Sequence, residues 1–217
     1  MFKHETQVIK FLLQWYSMNA RKLPWRKKNN LNLPHPYFVF VSEYMLQQTT
    51  VNTVKNKFNE FILKWPSLNK LAQTSEPNIL KFWSGLGYYS RARNLLKSAK
   101  IIKNNFKNNI PQTYDELIQL PGIGDYTAKA ILGIGFNQSV MPLDANIERI
   151  LVRLYAIDKP INKVKNKLKD LGKKFISDKY SSNLIQSFMD YGSEICLPRN
   201  PKCCLLYTSD AADDSLR

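Results

Sequence analysis

Three places in the sequence combine residue types and spacings that could do chemistry. The first is Leu120-Pro121-Gly122-Ile123-Gly124, followed by Asp125-Tyr126-Thr127-Ala128, a tight turn that feeds directly into a helix N-terminus. Exposed first-turn amides and the positive end of the helix dipole make such a turn a seat for a phosphate oxygen without any basic side chain, although Pro-Gly-x-Gly also joins ordinary helices. The second is Glu43, which follows the apolar run Phe38-Val39-Phe40-Val41, a setting that disfavours the charged form of a carboxyl. The third is a cluster near the C-terminal end, where Cys196, Cys203 and Cys204 are the only cysteines. An odd, clustered set in a chain with no secretion signal points to metal or cluster ligation rather than to disulfides. Asp144, directly ahead of a helical stretch, reads on its own as a helix cap or a solvated charge.

The rest of the chain must fold to position these groups. Its 217 residues carry 32 Lys and Arg against 17 Asp and Glu, a formal charge of +15, with 44% hydrophobic and 12% aromatic residues. That apolar content excludes a disordered basic tail, and the length suits one large or two small domains. A folded domain this basic points to a polyanionic partner, with a merely lysine-rich solvated surface as the alternative. No apolar run approaches the roughly eighteen residues of a membrane span, and Met1-Phe2-Lys3-His4-Glu5 lacks the order of a signal peptide. A cytoplasmic protein without membrane contact is the expectation.

Helical periodicity runs almost throughout, so the fold class expected is all-α. Val51, Val54, Phe58, Phe61 and Ile62 share one helical face, as do Ala92, Leu95, Leu96, Ala99 and Ile102. Val8, Phe11, Leu12 and Tyr16 suggest an N-terminal helix, and Pro36 can open another that carries Phe38 to Gln47. Thr113 and Glu116 form a capping box. Further helices fit Thr127 to Phe136, Ala145 to Tyr155, Val164 to Ile176 and Asn183 to Ile195. Phe38 to Tyr44 could instead be a short buried strand, but a lone strand has no partner here. Gly85 and Gly87 repeat the one-residue glycine spacing of the hairpin, and a helix C-cap would explain that pair equally well.

Five ordered segments resemble the helix-hairpin-helix DNA glycosylases of the MutY type: Leu23-Pro24-Trp25-Arg26, Ser42-Glu43-Tyr44-Met45-Leu46-Gln47-Gln48-Thr49, Gly85 to Leu95, the Gly122 hairpin, and Leu143-Asp144-Ala145-Asn146. The resemblance implies a two-domain helix-hairpin-helix glycosylase fold, with one helical domain over 30–138 and a second built from 1–29 and 139–203. It also implies removal of adenine mispaired with guanine or 8-oxoguanine, by hydrolysis of the N-glycosidic bond after base flipping in double-stranded DNA. Carried over to this chain, Glu43 is the acid on adenine N7 and Asp144 the carboxylate that stabilises the cationic sugar. Tyr126 stands where the endonuclease III branch has a nucleophilic lysine, and tyrosine cannot form an imine, so no efficient strand cleavage is expected. Lys129 lies one helical turn away. Gln47, Gln48, Thr49 and Tyr88 resemble duplex-opening elements, with core packing more expected of Tyr89 than of Tyr88. Trp25, Arg26 and Gln186 match the adenine pocket. Gly122, Gly124 and Asn146 complete the DNA-facing set. Arg91 and Arg93 are either phosphate contacts or solvated charges. Two alternatives stand beside this reading: an endonuclease III-like glycosylase with lyase activity, and a non-catalytic DNA-binding module. A monomer associated with the nucleoid is expected.

The same resemblance implies a [4Fe–4S] cluster held by cysteines spaced C-x6-C-x2-C-x5-C. Cys196 and Cys203 keep the first spacing, but Leu206 stands at the third position and the fourth is absent, so the iron–sulfur region is incomplete and this chain is not expected to bind the cluster of its full-length parent. From residue 204 on, Cys-Leu-Leu-Tyr-Thr-Ser-Asp and the following residues resemble the translation of a sequencing adapter rather than any part of the family. The expectation is therefore a truncated chain with a foreign tail, lacking the family's C-terminal Nudix-like domain and poorly selective for the base opposite adenine.

Overall fold

A computed structural model describes residues 3–26 and 33–202; Cys203, Cys204 and the tail lie outside the described residues. These contain eleven α-helices and no strand: α1 (Lys3–Asn19), α2 (Pro36–Leu46), α3 (Val51–Lys64), α4 (Leu68–Ala72), α5 (Glu76–Trp83), α6 (Ser90–Asn105), α7 (Tyr114–Ile118), α8 (Asp125–Ala130), α9 (Ala145–Leu154), α10 (Ile161–Lys173) and α11 (Ser181–Glu194). No described helix is long and apolar enough to cross a membrane. The chain divides into two compact units, one from Met1–Arg21 with Ser139–Arg217 and one from Lys22–Gln138. The first boundary falls at 21/22 rather than at 29/30. Trp25, in a short 3-10 turn, packs edge-on against Phe58 of α3 with centroids 5.5 Å apart, and this draws its segment into the Lys22–Gln138 unit.

In the Lys22–Gln138 unit the centre is α2. His35 caps it, accepting from the Tyr37 N–H at 3.2 Å, and Pro36 occupies the first turn, where its missing N–H costs nothing. Every residue from Val39 to Met45 is buried, as expected of a short helix that is apolar nearly all round. The helix reading of Phe38 to Gln47 therefore holds and the strand alternative does not. Around α2, α3 buries Val54, Phe58 and Phe61, and α6 buries all five residues of its stripe. Two helices were not expected. α4 and α5 are too short to show a periodicity, although Ser67 caps α4 by accepting from the Lys70 N–H. The expected regular helix from Thr127 to Phe136 is α8 followed by a fully buried π-helical turn, Ile131–Gly135. A Cβ on Gly135 would lie 3.3 Å from the Pro36 backbone, so the wider turn brings a glycine against the start of α2.

The other unit packs α1 along α11, with Phe11 and Trp15 both edge-on to Tyr191 at 5.7 and 5.2 Å. It also holds a buried carboxyl far along the chain from the candidate chemistry. Glu5 Oε1 accepts from the Tyr155 hydroxyl at 2.8 Å and pairs with Lys174 at 3.4 Å, tying the first turn of α1 to the segments that end α9 and α10. Burial alone would raise the Glu5 pKa, but the hydrogen bonds from Tyr155 and Lys174 and the lysine charge outweigh it and hold the carboxyl below the usual glutamate range. A folded-state pKa below the unfolded value adds stability that is present above the unfolded value near about 4.3 and disappears as pH falls through the lowered one. We expect Glu5→Gln to lower Tm at pH 7 by roughly 2–4 °C. Thermal melts from pH 7 to pH 3 should show this difference narrowing on the acid side.

Candidate functional site

The Lys22–Gln138 unit assembles its candidate residues around the C-terminal end of α2. Glu43 sits in the last turns of that helix and is 7% exposed. One turn further on, the Gln47 amide donates to the Gly122 carbonyl at 3.1 Å, and the Tyr44 hydroxyl donates to the Pro121 carbonyl at 2.6 Å and meets Ser98 Oγ at 2.9 Å. Burial pushes the Tyr44 hydroxyl well above the usual tyrosine range, so it remains a neutral donor. α2 and the glycine hairpin are thereby fastened together at two successive carbonyls. The hairpin joins α7 to α8. Gly122 has φ +81°, and a Cβ there would lie 2.9 Å from the Asn94 amide and 3.1 Å from the Tyr44 ring. Both the backbone conformation and the close approach therefore require glycine. Gly124 is extended and occupies the cap position of α8, where it has no side chain to accept from the first-turn amides.

Tyr126 is the second residue of α8 and is half-buried. Lys129 does not project freely. Its Nζ pairs with Asp125 Oδ1 at 2.7 Å, the same oxygen that accepts from the Tyr114 hydroxyl at 2.9 Å.

Among the duplex-opening candidates, Gln48 and Tyr88 are exposed and Thr49 is half-buried. The Thr49 hydroxyl donates to the Leu86 carbonyl at 3.3 Å. Tyr89, of which core packing was more expected than of Tyr88, is the less exposed of the two at 42% against 59%, but it is not a core residue. It stands immediately before α6, where its ring is not covered. Arg91 is neither a phosphate contact nor a solvated charge: it is 4% exposed, and its two terminal nitrogens donate to main-chain carbonyls and the Thr49 hydroxyl of the same unit. Arg93 is a surface residue paired with Glu76 at 2.8 Å. Trp25 is buried against Phe58, while Arg26 beside it is half-buried.

In the other unit, Asp144 is the N-cap of α9, as its position before the helix suggested. Its Oδ1 accepts from the Ile147 N–H at 2.8 Å and its Oδ2 from the Asn146 amide at 2.9 Å. Burial pushes the Asp144 carboxyl above the usual aspartate range, while these hydrogen bonds and the charge of Arg149 pull it back down. Asn146, expected to face DNA, is engaged within the protein. Its amide donates to Asp144 and its carbonyl oxygen accepts from Arg149 at 2.8 Å. Arg149 also donates to the Gly192 and Cys196 carbonyls at 2.6 and 2.7 Å. Gly192 makes this crowding possible, since a Cβ there would lie 2.6 Å from that of Asn146. No sequence signal marks Arg149 apart from its place one turn into the helix after Asp144. Gln186 on α11 is 2% exposed; its amide donates to Ser182, and its buried Oε1 has no partner among the described residues.

Of the two cysteines at cluster-ligand spacing, Cys196 is buried and Cys203 lies outside the described residues, so the described residues hold one of the four thiolates a [4Fe–4S] cluster takes. Cys196 Sγ accepts a hydrogen bond from Arg153 at 3.1 Å, and Arg153 also takes the Leu197 carbonyl at 2.7 Å. Among the described residues no group of three or more His, Cys, Asp and Glu could hold a metal ion.

Comparison with known proteins gives concordant matches. Residues 41–174 match the family described as HhH-GPD superfamily base excision DNA repair protein. The chain is 45% identical over 194 residues to an adenine DNA glycosylase of Buchnera aphidicola subsp. Baizongia pistaciae, covering 88% of this chain and 54% of that protein. It is 37% identical over 212 residues to the adenine DNA glycosylase of Homo sapiens, covering 94% and 39%. The chain thus spans about half or less of the length of these relatives. Among solved structures, a thermostable thymine-DNA glycosylase superposes with TM-score 0.83 at 24% identity over 95% of this chain and 98% of that one. A non-covalent endonuclease III–DNA complex superposes with TM-score 0.75 at 18% identity, with both chains fully covered.

Proposed function

The chain belongs to the HhH-GPD superfamily of base excision DNA repair proteins, and on that premise we propose that it is the catalytic part of an adenine DNA glycosylase, acting as a monomer on duplex nucleoid DNA with adenine mispaired with guanine or 8-oxoguanine. The observation that carries the proposal is Glu43, a carboxyl buried in the apolar central helix of its unit, one turn from the glutamine that holds the glycine hairpin. Several relatives that bear the name adenine DNA glycosylase also cover most of the chain.

In this reading the adenine nucleotide leaves the stack, and Glu43 gives its proton to N7 of the base. The C1′–N9 bond breaks with its electron pair going to adenine, and the Asp144 carboxylate stabilises the cationic sugar until water adds at C1′ and releases a proton. Gln48 and Tyr88 enter the space the base vacates. The Gly122–Gly124 turn seats a backbone phosphate, and Trp25, Arg26 and Gln186 serve the adenine pocket.

The experiment is adenine release from a duplex containing an A:G or A:8-oxoguanine pair, run beside borohydride trapping. Free adenine with an intact strand and no trapped adduct is the expected result. Tyr126 offers no amine, and Lys129 is held by Asp125 and placed over the Tyr114 ring. A covalent adduct on an abasic duplex would favour the lyase alternative. Binding by a folded chain that releases no adenine would favour the non-catalytic one.

A further inference from the structure

One buried cation is left unused by this chemistry. Arg91 directs Nη1 at the carbonyls of Tyr44 (3.3 Å), Met45 (2.8 Å) and Gln47, and Nη2 at the Thr49 hydroxyl (2.9 Å) and the carbonyls of Leu86 (2.8 Å) and Gly87 (3.0 Å). The first carbonyls belong to the C-terminal turn of α2, which has no intrahelical donors left for them and carries the negative end of the helix dipole. The others belong to two separate loops. Each loop carries beside the clamp an exposed residue with left-handed backbone: Gln48 at φ +57° and Tyr88 at φ +47°, the latter 59% exposed. A non-glycine residue persists in that conformation only where its neighbours hold it. Here the neighbours are the groups Arg91 binds, residues 47 and 49 on either side of Gln48 and residue 87 before Tyr88. The guanidinium carbon also lies 5.6 Å from the Tyr88 ring centroid.

We infer that Arg91 is the positioning residue for duplex opening: one buried guanidinium sets the backbone from which Gln48 and Tyr88 project, so that the two side chains enter a DNA stack as a rigid pair. This rests on the proposal that those side chains enter DNA. Lysine cannot fully replace it, because an ammonium offers three donors from a single point where the fork spans two loops.

The test uses a duplex with 2-aminopurine beside the mispaired adenine, so that unstacking is read by fluorescence separately from adenine release. Arg91→Met, Arg91→Lys and Thr49→Val are compared with the parent chain after circular dichroism and a melt confirm that each folds. Opening should slow by about tenfold or more in Arg91→Met, since small misplacements of positioning groups have effects of that order. Arg91→Lys should recover part of the rate, and Thr49→Val should lose less. Adenine release should fall in parallel from paired adenine and much less from adenine in an unpaired bulge, where unstacking is already done. Should Arg91→Met fail to fold, Arg91→Lys and Thr49→Val carry the same comparison. Parental opening rates in the folded variants, or equal losses on paired and bulged adenine, would overturn the inference. Arg91-dependent opening by a parent that releases no adenine would sustain it and sink the glycosylase proposal instead.

Discussion

Glu43→Gln should bind a mispaired duplex and leave the adenine in place. The amide keeps the size of the carboxyl and most of its capacity for hydrogen bonding in a site that is 7% exposed, so the helical core built on Val39, Phe40, Val41 and Tyr44 has no reason to rearrange. It lacks an acidic proton. Unassisted departure of adenine places negative charge on the ring, and a positioned general acid accounts for about 10²- to 10⁴-fold in rate. Single-turnover release at saturating enzyme should fall by that order, with Kd for the duplex and the thermal melt close to those of the parent. Parental release by a folded Glu43→Gln would remove the acid role from this residue. Loss of binding together with release would show the glutamine disturbing the adjacent Gln47–Gly122 tie, a structural effect that the Kd would reveal.

How much of this was legible in the sequence differs from residue to residue. The stripes on α3 and α6 were, because an amphipathic helix writes its buried face at intervals of three and four residues, and Val54, Phe58, Phe61 and Leu95 are indeed buried. Thr113 and Glu116 were legible as a local signal. The hydroxyl accepts from the Glu116 N–H, and instead of reaching back to the main chain the glutamate takes the hydroxyl's own hydrogen at 2.7 Å. α4 and α5 were not, since five to eight residues give a period too few repeats. The π-helical turn at Ile131–Gly135 was hidden for another reason. A helix that widens by one residue per turn keeps the same composition, and only the approach of Gly135 to Pro36 shows why it widens. Arg91 was the least legible. An arginine in a helix reads as exposed by default, and what buries this one is a set of carbonyls more than forty residues earlier in the chain, which carry no sequence signature at all. The sequence marked Asn146 as a DNA contact, whereas its amide and carbonyl join Asp144 to Arg149. Chemistry-bearing residue types were visible, but the hydrogen bonds that orient them were not.

Asp144→Asn separates chemistry from capping, because Asp144 does both jobs through different properties. As N-cap of α9 it needs only a side-chain oxygen that accepts from the Ile147 N–H, and asparagine caps as well as aspartate does. Stabilising a cationic sugar needs a full negative charge, which asparagine lacks. Release of adenine should therefore fall by about 10²- to 10³-fold, the usual cost of removing one preorganised electrostatic partner from a transition state. Stability should change much less. Burial raises the Asp144 pKa above its ordinary value, so the folded carboxyl keeps its proton to higher pH than the unfolded one. Ionisation between the unfolded value and the raised folded value then costs folding free energy, and that cost persists at all higher pH. Asparagine carries no such cost, but it sets its own amide against the Asn146 amide that now donates to Oδ2. The two effects oppose, so Tm at pH 7 should stay close to that of the parent. Asp144→Ala provides the contrast. It loses the charge and the cap together, so it should show the same fall in release and a stability lower by about 1 kcal/mol. A folded Asp144→Asn chain that releases adenine at the parental rate would leave the residue as a cap alone. Retained stability with lost release would show that this carboxylate is kept half-buried, at a cost to its ionisation, for the charge it places beside the substrate.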